Sequence, residues 1–254
     1  MTHLFKNNKH GFSIVELVIS LAITLVLLGV AIKMFNVQQD AYNSQEQVTD
    51  LHQNIRTSMD AVSREIRMAG CMVVGTSTIK TSGTSTITFL GDVDGDIVTN
   101  LTTNAVAGAT TIYVNLTPDS EYNIASTDSI YISDGIHTEV VPVNSSASHL
   151  SGEPDPIYLS TCLLYSYTAL SATVRTVEKV TFSFDTANLR IDRNSQPLAE
   201  NIEAMSFTYG TNTVTGATNT VTIAITGRTA NIDPNYGDNY RRGTLTSTIK
   251  LRNQ

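Results

Sequence analysis

Twenty-one residues near the amino terminus, Phe12 to Ile32 (FSIVELVISLAITLVLLGVAI), contain a single ionisable side chain, Glu16. As a helix rising about 1.5 Å per residue this run is about 31 Å long, enough to cross a hydrocarbon core of about 30 Å. Lys6 and Lys9 precede it with no acidic residue, and only Lys33 closely follows it. That bias predicts a cytoplasmic amino terminus, with the body of the chain outside the cytoplasm. A secretory signal peptide has an apolar region of about 7–15 residues ending at a small-residue site; this run is longer and no such site follows. A buried core helix would not be apolar all round next to a basic leader. Glu16 is the exception inside the run. A carboxylate at a bilayer centre costs about 2.5–3.5 kcal/mol, and less near the end of a segment. Glu16 lies near the end, and is expected to pair with a positive group.

Past Lys33 the pattern changes. Val48, Leu51, Ile55, Met59, Val62 and Ile66 recur at helical spacing, with polar residues between them. They predict one apolar stripe on a helix that packs on another layer. The stretch 36–47 is more polar, with Val37 and Ala41 as its inward positions. The first proline is Pro118, so the helix is expected to run from Phe12 to Ala69 and to stop at Gly70. The stripe covers too few heptads for a coiled coil.

The segment Lys9-His10-Gly11-Phe12-Ser13-Ile14-Val15-Glu16-Leu17 resembles the class III signal of type IV prepilins. The resemblance implies that a prepilin peptidase cuts between Gly11 and Phe12 and that Phe12 is then N-methylated. Glu16 would become the fifth mature residue, where the family uses a Glu for assembly. Arg64-Glu65-Ile66-Arg67-Met68-Ala69-Gly70-Cys71 resembles the helix end of PilW-type minor pilins. So do the carboxyl-terminal segments Asn188-Leu189-Arg190, Gln196 to Ile202, Phe207-Thr208-Tyr209 and Arg241 to Asn253. The implied fold is α+β and pilin-like: a long amino-terminal helix, transmembrane in its first half, packed on an antiparallel β-rich domain. The expected divisions are a leader at 1–11, a transmembrane and assembly helix at 12–34, its amphipathic continuation at 35–70 and a β-rich domain at 71–254.

The rest of the chain supports β-structure on its own terms. Thr supplies 36 of 254 residues and charged residues only 15%, a composition suited to polar strand faces. Alternating or β-branched runs predict strands at 85–90, 110–115, 129–133, 138–143, 157–160, 173–175, 179–185, 189–192, 203–209, 220–226 and 244–252. Pro142 confines the fourth of these to an edge. Val221, Ile223 and Ile225 share one face, as do Leu245, Ser247, Ile249 and Leu251. Residues 211–219 and 229–242 read as loops. A net charge of −7 with a pI near 5.1 argues against a nucleic-acid partner, and 41% hydrophobic content argues against disorder.

Catalytic motifs are absent from the sequence: it contains no H-E-x-x-H, G-x-S-x-G or P-loop. Ser133, Asp134 and His137 fall together beside Gly135, which reads as a turn between two strands. Asp92, Asp94 and Asp96 alternate around Gly95. They suit either a calcium site built from carboxylate oxygens or a plain acidic turn; Ile97 and Thr103 at the sixth and twelfth positions exclude an EF-hand. Cys71 and Cys162 both lie outside the cytoplasm in this topology, where an oxidising compartment permits a disulfide between them. No other cofactor is expected.

The resemblance implies a non-enzymatic minor pilin that initiates or enters a type IV pilus. Its partners would be other pilins meeting its amino-terminal helix, the prepilin peptidase and the inner membrane. It would cross that membrane once, then move to the pilus and cell surface. A J-like pseudopilin of type II secretion shares the signal and fold. A membrane-anchored adhesin or binding module, with 72–178 as its binding part, is the alternative of a different class.

Overall fold

The computed structural model describes residues 13–71, 73, 78–93, 97–116, 124, 126, 128–145, 154–211, 218–233, 236–237 and 239–251. The chain divides into two compact units, Met1–Thr49 and Asp50–Gln254. The helix α1, Ile14–Arg67, has 54 residues. It ends as expected. Its last turn tightens, with Met68 N–H donating to Glu65 O at 2.9 Å and Ala69 N–H to Ile66 O at 3.1 Å, which satisfies carbonyls that lack an intrahelical partner. Gly70 then takes φ 75°, a left-handed conformation that costs least without a Cβ.

In the second unit α1 buries the predicted stripe. Leu51, Ile55, Met59, Val62 and Ile66 are each at most 5% exposed, because side chains three and four apart stack on one face. Thirteen strands follow among the described residues: β1 (Ile79–Ser82), β2 (Thr86–Gly91), β3 (Val98–Asn100), β4 (Thr111–Val114), β5 (Ser129–Ser133), β6 (Thr138–Pro142), β7 (Asp155–Tyr158), β8 (Thr173–Asp185), β9 (Arg190–Arg193), β10 (Gln196–Ala199), β11 (Ile202–Thr211), β12 (Thr218–Arg228) and β13 (Arg242–Lys250). All pairings among them are antiparallel. The larger sheet runs β1-β2-β8-β5-β6, with β3 and the β9–β10 hairpin also attached through β8. A second sheet runs β11-β12-β13, and β4 pairs with β7. The stripe of α1 packs with Phe89, Val180, Phe182 and Ile191 of the larger sheet and with Phe207, Val221, Ile223 and Ile225 of the second. A separate core gathers Ile112, Ile130, Ile132, Ile157 and Val174.

Several expectations need correction. The strands expected at 173–175 and 179–185 are one strand, β8. The alternation breaks at its centre, where Thr176 and Val177 are both buried. Thr176 Oγ1 accepts from Ile97 N–H at 3.0 Å, and Thr176 N–H donates to Ile97 O at 3.2 Å. Strands β1 and β3 were not anticipated, since both are short and largely exposed. The stretch 196–202 contains β10, joined to β9 by a two-residue turn in which Asn194 (φ 49°) and Ser195 (φ 66°) are both left-handed, the turn that suits strand twist. Val37 is 61% exposed and Ala41 exposed, so neither is inward-facing: the buried stripe starts later, at Leu51. Leu245 is 39% exposed, although it shares its strand face with buried Ile249. Pro142 does lie on an edge strand, β6.

Two substitutions test this packing. Ile66→Ala should destabilise the full chain in detergent by about 2–5 kcal/mol, the range for emptying a closed apolar site. A Cβ at Gly91 would lie 2.5 Å from Met68 O, a backbone atom at the end of α1. Gly91→Ala should therefore cost about 1–3 kcal/mol, whereas Gly29→Ala, with nothing within 4 Å, should cost none. Urea unfolding midpoints report all three.

Candidate functional site

In the first unit every large apolar side chain from Ile14 to Val37 is more than half exposed. This segment of α1 is apolar and long enough to cross a membrane, and none of its apolar window is buried. Its hydroxyls do not interrupt that surface. Ser20 Oγ donates to Glu16 O at 2.8 Å and is within 3.0 Å of Leu17 O, and Thr24 Oγ1 donates to Ser20 O at 2.7 Å. Both are satisfied within the helix, as groups facing lipid must be. Glu16 is the one ionisable group from Ser13 to Ile32. It lies in the first turn of α1 and is exposed, and a carboxylate there is favoured by the unpaired N–H groups at the helix start. An apolar surface with one carboxylate near its end inserts readily and offers a single charge for pairing. Gly11 and Phe12 lie outside the described residues.

Residues 6–32 match a family model described as the prokaryotic N-terminal methylation motif. The chain has a prepilin-like amino terminus. No curated protein and no solved structure matches it. With one apolar span among the described residues and an antiparallel β-rich domain, the chain has a pilin-like layout that suits a single-pass, membrane-anchored protein, a layout common to pilins and pseudopilins. The motif implies processing by prepilin peptidase and assembly with other pilins, and proteins of this kind are structural.

The remaining sequence candidates fall in different places. Asp134 Oδ1 accepts from Ile136 N–H at 2.9 Å and from His137 N–H at 2.6 Å. Those two bonds hold the Asp134 carboxyl below its usual range. Ser133 Oγ accepts from Gly135 N–H at 3.2 Å, and His137 stacks on Tyr165 with ring centroids 4.5 Å apart. This is the turn read from the sequence, with Gly135 at φ 85°. Asp92 is buried at the end of β2, its N–H donating to Cys71 O at 3.2 Å. Asp94 and Asp96 lie outside the described residues. Among the described residues no group of three or more His, Cys, Asp or Glu is placed to hold a metal ion.

The structure shows Cys71 as a half-buried and Cys162 as an exposed free thiol, without the expected bridge. Their backbones are held against different neighbours. Cys71 N–H donates to Met68 O at 2.8 Å at the end of α1, whereas Leu163, next to Cys162, exchanges bonds with Ala109 O (2.9 Å) and Gly108 N–H (2.8 Å) beside the second core.

Two ties escaped sequence reading. Arg193 Nε donates to both oxygens of Glu65, at 3.0 and 2.7 Å, and Asn54 Nδ2 donates to Glu200 O. They anchor one flank of α1 to β9 and to the segment after β10. Their partners are over a hundred residues apart, and no local spacing signals them. Alkylation of the denatured protein without reductant should label both cysteines; labelling of neither would restore the bridge.

Proposed function

We propose that this protein is a minor pilin of a type IV pilus, of the PilW type, whose role is assembly. The observation that carries the reading is Glu16, the lone charge on an exposed apolar helix, five residues beyond Gly11. Peptidase cleavage between Gly11 and Phe12 removes Lys6 and Lys9 and leaves a new amino group, methylated on Phe12. The helix at 12–34 holds the subunit in the inner membrane, its amino terminus cytoplasmic and the β-rich domain outside, until it enters the fibre. There the Glu16 carboxylate meets the Phe12 amine of a neighbouring subunit. In an apolar bundle such a pair is weakly screened, and leaving either charge unpaired is costly, so the pair sets axial register.

Processing is tested by mass spectrometry of the mature amino terminus. It should begin at N-methylated Phe12, and Gly11→Val should leave the leader attached. Cleavage after Ile32, or an intact leader in the wild type, contradicts the reading.

Assembly is tested separately. Glu16→Ala should be cleaved and inserted normally, yet recovered in sheared pili about tenfold less or lower, the factor produced by losing about 1.4 kcal/mol. Glu16→Gln, which keeps shape and loses charge, should be nearly as defective. Blots of sheared pili, with membrane levels as control, give the answer. Wild-type recovery of Glu16→Ala would remove the assembly role.

A further inference from the structure

The sheet β11-β12-β13 ends at β13, and no described strand pairs with its outer edge. This edge is nine residues long and carries no charge between Arg242 and Lys250. Exposed edges are ordinarily blunted by charges, prolines, bulges or a covering element. β13 has no proline, and its register with β12 runs without a shift from Arg242 to Lys250. Leu245 is a second observation. Its cross-strand partner Ile225 is fully buried, yet Leu245 is 39% exposed on the same face. The third is the asymmetry of α1. One flank is tied by Asn54 to Glu200 O and by Glu65 to Arg193. The other presents His52 and Arg56, four residues apart, which line a concavity with Ile55, Thr244 and Leu245. The Arg56 guanidinium has no hydrogen bond or ion pair among the described residues.

We propose that this groove receives an extended segment of a different protein subunit as an added strand on β13. Its backbone pairs with the free edge. An alternate side chain, apolar, covers Leu245 and Ile55 beneath the flank of α1, and an acidic side chain meets Arg56. A second copy of this chain is a poor occupant. Antiparallel pairing of β13 with itself about Thr246 would set Arg242 of each copy opposite Lys250 of the other, and like charges directly opposite destabilise a sheet. The groove's charged lining is cationic, which selects a partner strand with acidic flanks. All the residues involved belong to Asp50–Gln254, so the inference stands apart from the Glu16 reading.

The test uses the full chain in detergent micelles and two synthetic peptides, Glu-Thr-Val-Thr-Val-Thr-Glu and its counterpart with Lys at both ends. The acidic peptide should bind saturably and slow amide exchange in β13 selectively. Leu245→Lys and the β-compatible Leu245→Thr should each weaken it by about tenfold or more while keeping the wild-type unfolding midpoint. Arg56→Glu should reverse the preference toward the Lys-ended peptide. Absence of protection in β13 at millimolar peptide, or an unchanged preference in Arg56→Glu, would overturn the proposal. So would a concentration-dependent dimer that protects the same amides without peptide, which would make the second copy the occupant.

Discussion

Burial of one helical stripe, Leu51 to Ile66, is the contact on which the second unit depends. The stripe contributes to a single core that takes residues from both larger sheets. Each such side chain gains about 1.5–3 kcal/mol on leaving water, and a sheet with one apolar face needs a partner layer to realise that gain. The helix is that layer for β11-β12-β13 and for the β2, β8 and β9 part of the other sheet. Strand β8 carries the order further. Val180 and Phe182 belong to the helix-side core, and Val174, six residues before Val180, belongs to the second core. One thirteen-residue strand therefore couples two hydrophobic clusters.

The same helix serves two media, and its sequence changes character between them. From Ile14 to Ile32 it is apolar on all sides, with Ser20 and Thr24 folded onto its own backbone. From Leu51 it is apolar on one side only. A helix uniform in either style would fail at one end: a stripe leaves polar groups facing lipid, and an all-round apolar surface leaves the outer face of the β-rich unit adhesive. The prepilin-like motif, residues 6–32, takes in the whole of the apolar segment, where a lone carboxylate has the greatest influence on pairing.

Much of this was legible because it is written locally. The apolar run, the period of the stripe, Gly70 as a stop and Pro142 as an edge residue all act through nearest neighbours along the chain. The span of α1 was read to within two residues at each end, and ten of the thirteen described strands lie at or near predicted runs. What escaped was decided by distant partners. Strands β1 and β3 exist because β2 and β8 offer them edges. β8 reads as two strands because Thr176 is buried against Ile97, a pairing across 79 residues. The cysteines were paired on count and compartment alone, whereas a bridge is decided by Cα separation and Cβ direction, which local spacing does not encode. Of the candidate site, Glu16 was legible from spacing, whereas Arg193–Glu65 and the groove beside Leu245 were not.

The exposure of β13 follows from the composition that makes the sheet. Thr222 and Thr248 approach to 2.9 Å between hydroxyls, as do Thr226 and Thr244. These cross-strand pairs hold β13 to β12 on the face away from the core. Threonine gives strand propensity and a wettable face at once, so the sheet needs few charges. The charges it does have are largely consumed near its ends, as in Arg242 with Glu203 and Arg241 with Asp233. An edge strand protected by charge would place lysines along its length. Here the middle of β13 alternates threonine with glycine, leucine, serine and isoleucine, so nothing along it repels an incoming strand. A chain that folds its sheet with uncharged hydroxyl residues therefore keeps an open edge by default, and the apolar side chain left uncovered there, Leu245, gives that edge a reason to be filled.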